Sequence, residues 1–187
     1  MLLYGPDVAS YHDKWDNGTV ARIEGSYPRA SYQTEAYRIT RFGTDLCFRC
    51  DARRAARALS DAGLDVYLYN FAYHFKTWRD PQSDECQHQS EILCGVYHAS
   101  ELRFVFDNYQ FPLAEEDKDM ASIIGTLWTS FAKAGSPQAP GVTEWPTYNA
   151  SSDKHLEINL PLTVRRGLSK MHCDLFDALP PEGPYPH

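Results

Sequence analysis

Gly95-Val96-Tyr97-His98-Ala99-Ser100-Glu101-Leu102-Arg103-Phe104-Val105-Phe106 is the stretch whose reading decides the fold. It sets one histidine between an apolar, strand-ending run and a second run that turns back into apolar residues. Imidazole titrates near neutral pH, so a histidine offered on such a loop suits proton transfer. By local sequence alone the commoner reading is a loop histidine bonded to backbone.

Upstream, residues 66–73 (Val-Tyr-Leu-Tyr-Asn-Phe-Ala-Tyr) are continuously β-branched, aliphatic and aromatic. Such a run predicts a strand covered on both faces, as in a parallel sheet. Before it, Ile39, Phe42, Leu46, Cys50 and Ala58 recur near a 3.6-residue period. That spacing predicts a helix from Glu35 to Ala62, ended by Gly63. Beyond the histidine, Met120, Ile123, Ile124, Leu127, Trp128 and Phe131 mark the buried face of a helix from Glu116 to Ala134. Gly135-Ser136-Pro137 closes it. Leu156 to Leu160 reads as a short alternating strand and Leu168 to Leu179 as a last short helix. Residues 1–35 show no sustained period and 74–94 read as polar loop. Segments 1–26 and 180–187 are the least defined.

At 187 residues the chain can form one domain with a sizeable core; its 43% hydrophobic and 13% aromatic content argues against disorder. A formal charge of −7 argues against a nucleic-acid partner. The nearest basic cluster, Asp51-Ala52-Arg53-Arg54-Ala55-Ala56-Arg57, has helical spacing and reads as a solvated helix face. No apolar stretch reaches the roughly 20 residues of a membrane span. Met1-Leu2-Leu3-Tyr4-Gly5-Pro6-Asp7 lacks the basic-then-apolar order of a signal peptide. Five cysteines and two glycosylation sequons, Asn17-Gly18-Thr19 and Asn149-Ala150-Ser151, nevertheless point to an oxidising, extracellular compartment. Together these features predict a chain whose original N-terminus has been lost.

The cysteines allow three readings. Cys47-Phe48-Arg49-Cys50 has the form of a redox pair but lacks the usual Gly or Pro between the thiols. Cys86 and His88 with Cys94 and His98 could be drawn as a zinc site, at a spacing that matches no standard ligand set. Disulfides are the third reading.

Several ordered blocks carry a family resemblance. Asp45-Leu46-Cys47-Phe48-Arg49-Cys50 opens a helix and Val66 to Phe71 follows as a strand. Gly95 to Phe106 carries the histidine, with a glutamate three residues on. Leu127-Trp128-Thr129-Ser130-Phe131-Ala132-Lys133-Ala134-Gly135-Ser136-Pro137 and Trp145-Pro146-Thr147-Tyr148 complete the set. From about Tyr27 to about Leu179 the chain resembles type-B carboxylesterases and lipases, the cholinesterase-like branch of the α/β-hydrolases. The resemblance implies an α/β fold: the C-terminal part of an α/β-hydrolase, an incomplete, mostly parallel sheet with flanking helices, over residues 1–187. It reverses the local reading of His98, which becomes the general base of a serine triad. Glu101 is expected to brace the histidine loop through backbone N–H groups rather than act as the orienting acid. The six other histidines, such as His74 and His155, read as surface or rim residues.

The resemblance further implies a Cys50–Cys173 disulfide; Cys86 and Cys94 then form a second candidate pair that would clip the loop before His98, with Cys47 left as a buried free thiol. In an α/β-hydrolase the nucleophile and acid precede the histidine along the chain. No Gly-x-Ser-x-Gly lies upstream of His98; Gly167-Leu168-Ser169-Lys170-Met171 fails at its last position and lies on the wrong side. Residues 1–30 hold no Asp-Glu-Gly-like turn for the acid. The expectation is therefore the C-terminal part of a secreted carboxylic-ester hydrolase, inactive alone and dependent on a missing N-terminal portion that carries the nucleophile. Its substrate would be a small-molecule ester, with no cofactor and no metal. The alternative is a non-catalytic, cholinesterase-like adhesion or binding domain, which would have no reason to keep the base.

Overall fold

The computed structural model describes residues 15–77, 96–109, 112–141 and 144–179. Within them, the first two helices begin where the sequence supplies a side-chain acceptor for the orphan N–H groups of a first turn. Asp16 accepts from the Thr19 amide (3.0 Å) and hydroxyl (2.8 Å), and so caps α1 (Asn17–Ser26), which buries Val20 and Ile23. Thr34 accepts from the Tyr37 amide at 3.1 Å and caps α2 (Glu35–Thr44). A π-helical turn over Asp45–Arg49 follows, in which the Cys50 amide reaches back to the Asp45 carbonyl. The extra residue leaves two successive side chains, Asp45 and Leu46, both facing inward. Helix α3 (Cys50–Asp61) continues from there. Gly63, at φ +81°, ends it: its amide bonds the Ser60 carbonyl, and the Leu64 amide bonds the Leu59 carbonyl. That is the two-bond glycine cap expected at a helix C-terminus.

The chain forms two compact units, Met1–Ala55 with Ser169–His187, and Ala56–Leu168. The first unit packs Ile23, Tyr27, Phe42 and Leu46 with Phe176 of the last helix, α6 (Lys170–Asp177). Cys50 and Cys173 are fully buried in this core and form a disulfide across a sequence separation of 123 residues. They are the two cysteines that the family resemblance pairs. Cys47 is half-buried and takes no part in that bridge. Cys86 and Cys94, and with them most of the zinc-like constellation, lie outside the described residues.

In the second unit, β1 (Tyr69–Phe71), β2 (Lys154–Ile158) and β3 (Thr163–Arg166) form one sheet in that order. β1 runs parallel to β2, with Tyr69 opposite Leu156 and Phe71 opposite Ile158; β2 and β3 are antiparallel. The expected mostly parallel sheet is thus a mixed one. Only four residues join β2 to β3, and a connection that short can return the chain only antiparallel. The strand expected over residues 66–73 narrows to Tyr69–Phe71, although Val66, Leu68 and Ala72 extend the backbone pairing to Tyr148, Leu156 and Ile158. Between the strands lie α4 (Leu102–Phe106) and α5 (Glu115–Ala134). The long helix α5 buries Met120, Ile124 and Leu127 beside Leu156, Ile158 and Trp145, and ends at Gly135, φ +71°.

Three further expectations need correction. Arg53 is buried, only 2% exposed, and Arg54 pairs with Asp51 and Asp177, so the arginine cluster is not a freely solvated face. Phe131, placed on the buried face of α5, is 47% exposed, with its ring edge-on to Tyr67. His155 and His172 are buried rather than surface residues; His74 is exposed.

The long loop closed by the disulfide leads to a stability prediction. In the chain-entropy model, Cys50→Ala with Cys173→Ala costs about 4–5 kcal/mol, read as a lower urea midpoint, with a steeper slope because the uncrosslinked unfolded chain is more expanded. A double variant with the midpoint of the oxidised protein would contradict this.

Candidate functional site

His98 is exposed, on a turn whose neighbouring residues Tyr97, Ala99 and Ser100 are half-buried. The Ser100 amide bonds the Tyr97 carbonyl and the Leu102 amide bonds the Ala99 carbonyl, each at 3.2 Å. Ala99 adopts φ +67°, a left-handed conformation that favours glycine. The Glu101 carbonyl accepts from the Phe104 and Val105 amides at 3.0 and 3.1 Å, which starts α4. Asp107, φ +50°, and the Asn108 amide, bonded to the Arg103 carbonyl, end it after five residues.

A helix that short does not stand by itself. It is held by Phe104, 2% exposed, whose ring meets Phe71, Tyr73, Phe75 and Tyr109 at centroid distances of 5.7 to 6.1 Å. Glu101 makes a second attachment: its carboxylate accepts the Tyr69 hydroxyl at 3.2 Å. Glu101 thus bonds a strand tyrosine through its side chain, where sequence reasoning looked to the loop's backbone amides. Burial, with the Glu101 charge second, pushes the Tyr69 ionisation well above that of an ordinary phenol. A cavity of about 20 Å³ lies beside the turn, lined by Phe71, Tyr73, Phe75, Tyr97, Ser100, Arg103 and Phe104. That is room for one water. Ligand pockets of several hundred cubic ångströms are typical of small-molecule sites, so these lining residues do not by themselves make an ester pocket.

The segment after β1 is pinned separately. Asp117, buried in the first turn of α5, accepts from the Tyr73 hydroxyl (2.8 Å), the Lys76 and Thr77 amides and the Thr77 hydroxyl (2.6 Å). The Thr77 hydroxyl oxygen in turn accepts from the Ala114 amide at 2.8 Å.

The first unit holds a different polar cluster, which sequence reasoning missed. Its hub is Asp45, fully buried. Oδ1 accepts from the Ser169 hydroxyl (2.6 Å) and Oδ2 from Tyr27 (3.2 Å) and Arg41 Nε (3.1 Å), while His172 Nδ1 lies 2.8 Å from Oδ2. Arg49 adds a contact at 3.4 Å. Asp, His and Ser thus meet, but in the wrong order for nucleophilic catalysis. A relay places the imidazole between hydroxyl and carboxylate. Here the carboxylate is central, and His172 Nε2 lies 3.1 Å from the Ser26 carbonyl oxygen. Tyr27 stacks on the His172 ring at 4.0 Å. The cluster is a structural pin. Its sequence signal was the helical spacing of His172, Cys173 and Phe176, which share the buried side of α6.

Burial acts to raise the Asp45 pKa, but the His172 bond, the charges of Arg41 and Arg49 and the Ser169 bond outweigh it and hold it at about 2, against an ordinary 3.8. The folded-state value lies below the unfolded one. Its contribution, about 2 kcal/mol, is therefore complete above roughly pH 4 and is lost as pH falls towards 2. Asp45→Asn should cost about 3 kcal/mol at pH 7, because it strands the surrounding donors. In urea unfolding the deficit against wild type should shrink between pH 4 and 2.5; a deficit constant across that range would contradict the assignment. At the histidine turn, Ala99→Gly should raise stability by up to about 1 kcal/mol by removing the left-handed strain. A lower urea midpoint for that variant would count against the strain.

Both candidate sequon asparagines are exposed. The Asn149 amide oxygen accepts from the Ser151 hydroxyl and the Ser152 amide in a turn, whereas Thr19 of the other sequon is buried with its hydroxyl on Asp16. Among the described residues no helix is long and apolar enough to cross a membrane.

Helices packed with a sheet that contains a parallel pair, and a histidine turn following its first strand, define an α/β protein. Residues 6–176 match the carboxylesterase family, so the chain belongs to that family, which implies the α/β-hydrolase fold. The match begins well before Tyr27, where the motif blocks had set the start of the resemblance. Among its relatives are mouse carboxylesterase 1C, 31% identical over 56% of this chain and 18% of that protein, and human carboxylesterase 5A, 28% identical over 73% and 24%. A medium-chain fatty acyl-CoA hydrolase precursor from Anas platyrhynchos is 30% identical over 71% and 22%. The chain spans between about a fifth and a quarter of the length of these relatives.

Proposed function

We propose that this chain is the histidine-bearing C-terminal part of a serine-dependent carboxylic-ester hydrolase, with His98 as general base. The observation that carries the reading is the presentation of His98: exposed, on a turn attached through Phe104 and Glu101, inside the segment matched to carboxylesterases. A base must reach a serine hydroxyl supplied from elsewhere in the protein, and an outward-facing imidazole on a braced turn meets that need. In this scheme His98 takes the serine proton as the acyl-enzyme forms, then returns it to the leaving alcohol. The missing N-terminal portion is the partner that carries nucleophile, acid and oxyanion donors, and the isolated chain is inactive. A small-molecule ester is the substrate, and no cofactor takes part.

The same reading places the protein in the secretory route. The long-range Cys50–Cys173 bridge suits an oxidising compartment, and Asn17 and Asn149 are the positions open to glycosylation.

Two measurements test the catalytic reading. The isolated chain should show no p-nitrophenyl ester turnover; activity abolished by a serine-directed organophosphate would overturn its inactivity. A chimera in which this chain replaces the matching C-terminal quarter of human carboxylesterase 5A should turn over ester. His98→Gln should lower its kcat by roughly ten-thousandfold or more. A folded, active chimera indifferent to that substitution would remove His98 from the chemistry.

A further inference from the structure

We propose that Tyr69 is a positioning residue for His98, its hydroxyl fixing through Glu101 the turn on which the imidazole is carried. What His98 does rests on the proposed function; how it is held does not. Tyr69 stands on β1, in parallel register with Leu156, and its ring packs edge-on against Trp128 at 5.2 Å and Trp145 at 5.8 Å. Trp145 is itself tied to the same strand through its indole N–H, which donates to the Leu68 carbonyl at 3.0 Å. The hydroxyl therefore leaves the sheet in one direction, with little side-chain freedom left to lose when it bonds.

Its acceptor is Glu101 Oε1, at 3.2 Å. Glu101 is the residue at which the histidine turn becomes helix, and its own carbonyl receives the Phe104 and Val105 amides. Phe104, with Val105 packed against the same cluster, gives α4 apolar anchorage that carries no direction of its own. The Tyr69–Glu101 bond adds a directional attachment at the N-terminus of α4, three residues from His98. Ala99, left-handed at φ +67°, lies between that attachment and the histidine, and fixed ends are what keep a strained residue from relaxing. Burial keeps the Tyr69 phenol protonated well into alkaline solution, so the donor persists throughout the neutral range.

The test uses the full chain labelled at histidine 13Cε1, with His98→Gln to assign its signal. Wild type should give one sharp His98 resonance. Tyr69→Phe keeps the ring packing and removes the donor; it should broaden, split or displace that resonance while His74, His155 and His172 stay in place. Glu101→Gln retains a side-chain acceptor and should keep the wild-type signal, whereas Glu101→Ala should reproduce the Tyr69→Phe spectrum. An unchanged His98 resonance in Tyr69→Phe would overturn the proposal. If Tyr69→Phe unfolds, all histidine signals collapse together, and the two Glu101 variants decide; identical His98 signals in both would then overturn it. Ester turnover does not enter these measurements, so an active chimera indifferent to His98→Gln would sink the catalytic reading and leave the positioning role standing.

Discussion

The burial of Phe104 among Phe71, Tyr73, Phe75 and Tyr109 is the contact on which the arrangement around His98 depends. A single turn of helix has too few internal hydrogen bonds to offset the backbone entropy it freezes. α4 exists because its one large buried side chain finds an aromatic socket made by the strand before it. With Phe104 seated there, the chain immediately upstream turns outward. The histidine stays in water while the residues around it are held.

That anchor works together with polar attachments of limited reach. Tyr69 to Glu101 joins strand to turn, and Asp117 gathers Tyr73, Lys76 and Thr77 at the start of α5. Each uses a carboxylate as acceptor, and each draws at least one donor from a tyrosine of the β1 region. Charged acceptors make the stronger hydrogen bonds, and partial burial strengthens them further so long as every donor is satisfied. The consequence is a site whose backbone is defined by side-chain chemistry as much as by the small three-stranded sheet.

In the other unit the same logic appears without a catalytic outcome. Asp45 is completely buried, and a buried carboxylate without partners would be costly. Arginine, imidazole, serine and tyrosine groups converge on it, beside the disulfide that joins α3 to α6. A serine, a histidine and an aspartate within bonding distance invite a functional reading. Connectivity decides against it, because the carboxylate rather than the imidazole stands in the middle.

Long, strongly periodic segments were legible from the residues. α5 was found to within one residue of its start because Met120, Ile124 and Leu127 repeat at helical spacing and Gly135 can take the left-handed cap. The family was legible as ordered motif blocks, and with it the pairing of Cys50 with Cys173. α4 and β3 were not, since five residues and four residues carry too little period to outweigh their flanks. Nor was the inward turn of His155, His172 and Arg53, which local composition assigns to solvent. By itself, then, the order of residues determined the longer periodic helices, the kinship and which imidazole the turn would carry, because those follow from short-range spacing and ordered motifs. Which polar groups went inside, and that Tyr69 would meet Glu101 across 32 positions, only the tertiary structure decided. Such contacts form when separate elements pack, and no local pattern encodes who the neighbour will be.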